Sequence, residues 1–165
     1  MPPTVDLDAT SLAIRLGAAL LAGGLIGVDR EMNRKPAGMR THALVSIGSA
    51  IVVLIILGSA RDNGDALSRA VQGIITGIGF LGAGVILQLE AERRIEGLTT
   101  AATIWVAAAL GMACGAGQVE LVAIAVVVVL VVLGGGNYVE DAIKRRLSPG
   151  PRIESPPEAR DSDRK

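Results

Sequence analysis

Five stretches of this chain are apolar over membrane-crossing lengths, at 11–28, 41–59, 70–89, 98–115 and 118–133, and the charged residues gather between and beyond them. A hydrocarbon core about 30 Å thick takes roughly 20 apolar residues per helix. Lipid offers backbone N–H and C=O groups no partner, so each crossing segment must satisfy its own as a helix. The pattern therefore predicts an all-α membrane protein, a bundle of five transmembrane helices. The third stretch holds five glycines between Gly73 and Gly84. Each would cost a helix in water about 0.8–1.0 kcal/mol relative to alanine, whereas in lipid it lets two helix backbones approach closely. The fifth stretch, rich in valine from Val126 to Val132, is the most purely aliphatic and is expected at the lipid-facing periphery.

Residues three, four and seven apart share one helix face, and that spacing finds a small or polar strip on each of the first four helices. Ala19, Gly23 and Gly27 form a seam ending on Arg30; His42, Ser46 and Ser49 align on the second helix. Gln72, Thr76, Gly79 and Ala83 align on the third, and Thr100, Thr103, Ala107, Gly111 and Cys114 on the fourth. Polar groups in hydrocarbon need partners, so the simplest arrangement turns the four strips toward one another. Gly23, Gly27, Gly73, Gly77, Gly79, Gly84, Gly111 and Gly115 are the expected close-packing positions, with Gly77→Leu and Gly84→Leu expected to abolish folding. GxxxG spacing admits packing within the chain and also a homo-oligomer. Ala37-Gly-Met-Arg-Thr-His-Ala43 and Glu96-Gly-Leu-Thr-Thr-Ala-Ala102, each following a glycine-rich helix, suggest a parallel repeat of helices 1–2 and 3–4.

Composition agrees with a membrane protein: half of the 165 residues are hydrophobic, and the mean hydropathy is +0.51. Sixteen basic residues balance sixteen acidic ones, but the balance conceals segregation by side. Arg30, Arg34, Lys35 and Arg40 lie between the first two helices, Arg93 and Arg94 between the third and fourth, and Lys144, Arg145 and Arg146 begin a basic tail. Only Arg61 and Arg69 fall in the loop on the opposite side. Because cytoplasmic loops hold the excess of Lys and Arg, the N-terminus is expected outside and the C-terminus cytoplasmic. The same asymmetry accounts for the basic residues without nucleic acid. A leader at 1–10 with Asp6 and Asp8 and no basic residue does not read as a cleaved signal. The transmembrane domain is expected over 11–143, followed at 144–165 by a proline-broken, charged tail expected to be disordered. No catalytic residues and no enzyme activity are expected, and no cofactor.

The expected functional cluster lies where the strips meet the cytoplasmic side: Asp29, Arg30, Glu31, Arg40, Thr41, His42, Thr99 and Thr100. Asp29 and Glu31 are the candidate Mg²⁺ ligands, since Mg²⁺ keeps several waters and takes one or two carboxylates. The plainer alternative, favoured on chemistry alone, pairs these carboxylates with Arg30 and Arg40 as an anchor at the headgroups. His42 is the only histidine and Cys114 the only cysteine; the first is expected as a hydrogen-bonding partner, the second as a small core filler. Arg15, one turn inside the first helix, is expected to reach the headgroups.

Several segments resemble the hydrophobic domain of the MgtC/SapB family of bacterial membrane proteins. They are Gly24-Leu-Ile-Gly27 with Arg30-Glu31, Ala37-Gly-Met-Arg-Thr-His-Ala-Leu-Val45, Gly77-Ile-Gly-Phe-Leu-Gly-Ala-Gly-Val-Ile86, Gly97-Leu-Thr-Thr-Ala-Ala-Thr-Ile-Trp105 and Gly111-Met-Ala-Cys-Gly-Ala-Gly117. The resemblance implies a multi-pass protein of the bacterial inner membrane, associated with growth at low magnesium and, in pathogens, with survival inside macrophages. It also implies a non-enzymatic regulator acting on other membrane proteins, the proton-translocating ATP synthase among them. A small transporter or channel for Mg²⁺ or another cation is the competing expectation. Many members carry a soluble C-terminal domain where this sequence has its short tail, so functions that depend on that domain are in doubt.

Overall fold

The computed structural model describes residues 8–59, 64–90 and 97–147, with side chains described to residue 86 in the third helix and to residue 135 in the last. Residues 1–7 of the expected leader at 1–10, the loop at 91–96 with Arg93 and Arg94, Arg61, and residues 148–165 of the expected tail at 144–165 lie outside the described residues. The described chain is all-helical: α1 (Ala9–Met32), α2 (Met39–Ser59), α3 (Gly64–Glu90), α4 (Leu98–Gly115) and α5 (Val119–Leu147). Four helices are long and apolar enough to cross a membrane, at Ala9–Met32, Met39–Ser59, Gly64–Ile86 and Leu98–Gly115. At about 1.5 Å per residue these cover roughly 27 to 36 Å, matching the hydrocarbon core. The apolar part of α5, Val119–Gly135, is shorter. The chain divides into two compact units, Met1–Leu133 and Gly134–Lys165.

Helix ends are set by local chemistry. Asp8 caps α1 by accepting a hydrogen bond from the Ser11 amide at 2.9 Å, a standard use of a short acidic side chain. At the other end Asn33 donates through its amide to the Asp29 carbonyl, closing the helix. α4 begins after Gly97, whose φ of 106° is open to glycine and strained for other residues. Gly117, at φ 82°, plays the same part in the turn between α4 and α5.

α1, α2 and α4 form the centre of the first unit. Ala19, Ala22, Ile26, Ala50, Leu110 and Cys114 are buried together, joined by Val122 and Val126 from the start of α5. Small side chains bring these backbones into contact. A Cβ at Gly23 would strike the His42 carbonyl, one at Gly27 the Met39 backbone, one at Gly111 the Ser46 carbonyl and one at Gly115 the Ala50 carbonyl. Gly73, Gly77, Gly79 and Gly84, by contrast, have open space within 4 Å of the same position. These four glycines of α3 thus make no close helix contact among the described residues. α3 packs instead through Ile78, buried with Ile104 and Ala108, and through Gly82, where an added Cβ would come within 3.4 Å of the Ala101 Cβ, an ordinary van der Waals approach.

Three of the four strips consequently face inward and one does not. The α1 seam and the α2 and α4 strips are buried along their length, whereas Gln72, Thr76, Gly79 and Ala83 are exposed. Thr76 explains why α3 can turn its strip outward, because its hydroxyl donates to the Gln72 carbonyl of its own helix at 2.8 Å. That bond removes the need for a partner on another helix. α5 places Val122 and Val126 inward and leaves Ile124, Val127, Val128, Val131 and Val132 exposed.

Candidate functional site

α1 runs antiparallel to both α2 and α4, which are parallel to each other, so the end of α1, the start of α2 and the start of α4 share one end of the bundle. Four side chains meet there inside the protein. Arg30 is 5% exposed and donates from Nη2 to the Thr100 hydroxyl at 2.9 Å. The Thr100 carbonyl lies 2.9 Å from the Thr103 Oγ1, and that oxygen is 3.0 Å from His42 Nε2. His42 Nδ1 closes the chain 3.0 Å from the Gly38 carbonyl. One hydrogen-bonded path therefore joins the last turn of α1, the first turns of α4 and the N-cap of α2.

Its proton inventory is short by one. Gly38 offers only a carbonyl, so Nδ1 of His42 carries a proton. In a neutral imidazole Nε2 is then bare, and the Thr103 hydroxyl has one proton for two acceptors, Nε2 and the Thr100 carbonyl. An imidazolium satisfies both, with Nε2–H donating to Thr103 and the Thr103 hydroxyl donating to Thr100. Arg30 is under-supplied too. Its Nε is buried without a hydrogen-bond partner among the described residues, a condition shared by the Ser46 hydroxyl one turn beyond His42. Buried charge without full pairing is costly and in membrane helices marks functional positions.

The eight residues expected in the cluster separate into two layers and two outliers. Arg30, His42 and Thr100 form the inner layer, completed by Thr103, which the α4 spacing placed on the same strip. Glu31, Arg40 and Thr41 line an outer hollow of about 780 Å³ together with Arg34, Lys35, Gly38 and Met39. Asp29 is partly buried and binds Asn33, whose Nδ2 donates to its carbonyl at 2.7 Å and to its Oδ1 at 3.2 Å. Thr99 is exposed on the outer surface of α4.

The hydrogen bonds of the two carboxylates go to the helix ends, while the Asp29 charge also acts on Arg30. Glu31 accepts from the Met39 amide at 3.2 Å and so caps the N-terminus of α2, where negative charge also suits the helix dipole. Asp29 serves the end of α1. Among the described residues no group of three or more His, Cys, Asp and Glu side chains could hold a metal ion. Arg15 also has a structural partner in place of the headgroups: its Nη1 donates to the Gly115 carbonyl at 2.8 Å, satisfying the C-terminus of α4 from α1. Cys114 is fully buried among aliphatic side chains.

These features define a class: an all-α, multi-pass membrane protein whose central helices bury an arginine, a histidine and two threonines at one end. Within that class the chain belongs to the MgtC family, whose family model matches residues 16–142. It is 44% identical over 138 residues to Protein SrpB of Synechococcus elongatus, covering 78% of this chain and 76% of that protein. It is 42% identical over 117 residues to Protein MgtC of Salmonella typhimurium, covering 71% of this chain and 48% of that protein. Protein MgtC of Brucella abortus is 40% identical over the same shares. The chain thus spans about half the length of its MgtC relatives. No solved structure matches.

Proposed function

We propose that this chain is a non-enzymatic regulator in the bacterial inner membrane, acting on other membrane proteins and carrying no Mg²⁺. The observation that supports this reading most is the charge inside the bundle. The buried polar and charged side chains among the described residues are Arg30, His42, Ser46, Ser49, Thr100 and Thr103. They include a cation and no carboxylate. A divalent ion crossing hydrocarbon would need oxygen ligands to replace lost water, and here it would first meet a guanidinium.

The polar path also stops short. Beyond Ser49 the buried positions of α2 are Ala50, Val53 and Leu54, and those of α4 beyond Thr103 include Ile104, Ala107, Ala108 and Leu110. An ion would face an apolar plug in the other half of the bundle. A buried polar chain that joins three helices is suited instead to fixing their relative positions. A partner that moved one helix would have to break it.

In this reading the polar end faces the cytoplasm, as the distribution of Lys and Arg favours, and Arg40 and Thr41 lie at the surface a partner would meet. The family resemblance makes the proton-translocating ATP synthase a candidate partner. The test is growth in low magnesium by a strain that depends on this protein. Arg40→Ala should impair growth while membrane insertion and thermal stability stay at wild-type levels; unimpaired growth would remove Arg40 and its surface from the account.

A further inference from the structure

The outer hollow has a chemistry that the buried chain does not use. It lies between the ends of the spans Ala9–Met32 and Met39–Ser59, where helices of membrane-crossing length emerge into the lipid headgroups. Arg34, Lys35 and Arg40 line it, against Glu31 as the one carboxylate, and Glu31 already accepts from the Met39 amide. The backbone that carries Arg34 and Lys35 is fixed. The Asn33, Arg34 and Lys35 amides donate back to the Asp29, Glu31 and Arg30 carbonyls at 2.9–3.1 Å, and Arg34 and Ala37 are kept at φ 52° and 57°. The Arg40 and Thr41 amides lie in the first turn of α2, where the helix supplies no acceptor. Beside this polar hollow stand two exposed apolar side chains, Met32 at 79% and Met39 at 44% exposure.

We propose that the hollow binds the phosphodiester headgroup of an anionic phospholipid. Surplus positive charge selects an anion over a cation, and guanidinium groups match phosphate oxygens in paired hydrogen bonds. Phosphate chemistry could come from a lipid or from inorganic phosphate. The location favours the lipid: a hollow at headgroup depth, flanked by exposed methionines, accommodates a phosphate together with the start of its acyl chains. The assignment is independent of the regulatory reading, since a bound lipid would set the position of the α1–α2 loop whatever the protein acts on.

The test uses the full-length protein in phosphatidylcholine vesicles with and without phosphatidylglycerol, released and weighed by native mass spectrometry. A retained phosphatidylglycerol adduct is expected, with no comparable phosphatidylcholine adduct. Each basic residue near an anionic surface contributes an affinity of about fivefold, so Lys35→Gln should weaken retention about fivefold and Arg34→Gln with Lys35→Gln about twenty-five-fold. Arg69→Gln, on α3 and outside the hollow, should leave it unchanged. Lys35 is exposed, so its single variant keeps the test valid if the double variant fails to fold. Equal retention of phosphatidylcholine, or full retention by Lys35→Gln, would overturn the proposal. Displacement of the adduct by inorganic phosphate would assign the hollow to free phosphate and overturn the lipid as its occupant.

Discussion

The Arg30 guanidinium donates to the Thr100 hydroxyl across 2.9 Å, tying the end of α1 to the start of α4 seventy residues further along the chain. Thr100 is 2% exposed and Arg30 5%, so water does not readily replace the bond. Thr100→Val keeps the shape and removes the acceptor. A buried hydrogen bond to a charged group contributes about 1.5–3 kcal/mol, and thermal melting in detergent should show a loss of that order. Thr99→Val, one residue away on the exposed surface, should change the melting temperature little. Equal melting of the two variants would show that the Arg30 contact does not stabilise the bundle.

His42 should carry a proton on Nδ1 in every state, because the Gly38 carbonyl 3.0 Å away can only accept. Nitrogen-15 NMR of the labelled protein in lipid reads the tautomer directly. A protonated Nδ1 is expected, with Nε2 bare in the neutral form and protonated in the imidazolium. A neutral ring protonated on Nε2 alone would contradict the hydrogen-bonded path.

The glycines should divide by helix. Gly111→Leu would drive a side chain into the Ser46 backbone, and Gly23→Leu into that of His42. Overpacking of this kind usually costs about 1–3 kcal/mol, and more when backbone is struck. Gly77→Leu and Gly84→Leu meet open space and should leave the melting temperature of the single chain close to wild type. Loss of folding in Gly77→Leu to the degree seen in Gly111→Leu would mean that α3 has a tight partner beyond this chain.

Much of this arrangement is legible in the sequence, and the exceptions have physical causes. Four membrane spans and the inward strips of α1, α2 and α4 follow from length and helical spacing, since Ala19, Gly23 and Gly27, then His42, Ser46 and Ser49, then Thr100, Thr103, Ala107, Gly111 and Cys114 each recur at three- and four-residue intervals. Spacing identifies a small-residue face but not whether another helix reaches it, which is why the outward strip of α3 could not be foreseen. It likewise places Arg30 near Glu31 without revealing that Glu31 is engaged by the Met39 amide. Capping bonds between distant segments, such as Arg15 to Gly115, depend on where helices end in space. Thr103 was within reach, because it shares the α4 strip with Thr100, but only the imidazole of His42 gives it a role.

Orientation can be read with one engineered cysteine. Cys114 is fully buried, so in Asn33→Cys the new thiol, in the exposed α1–α2 loop, is the one available to an impermeant reagent. Labelling is expected only after the membrane is opened, which would place the polar end in the cytoplasm. Labelling of intact cells from outside would reverse the orientation.

Ion movement is the most direct test of the regulatory account. The purified protein, reconstituted in liposomes loaded with a Mg²⁺-sensitive dye, should give no Mg²⁺ flux above empty vesicles, because the bundle buries Arg30 and no carboxylate among its described residues. Robust flux that disappears in Asp29→Asn would contradict this account and make the protein a transporter.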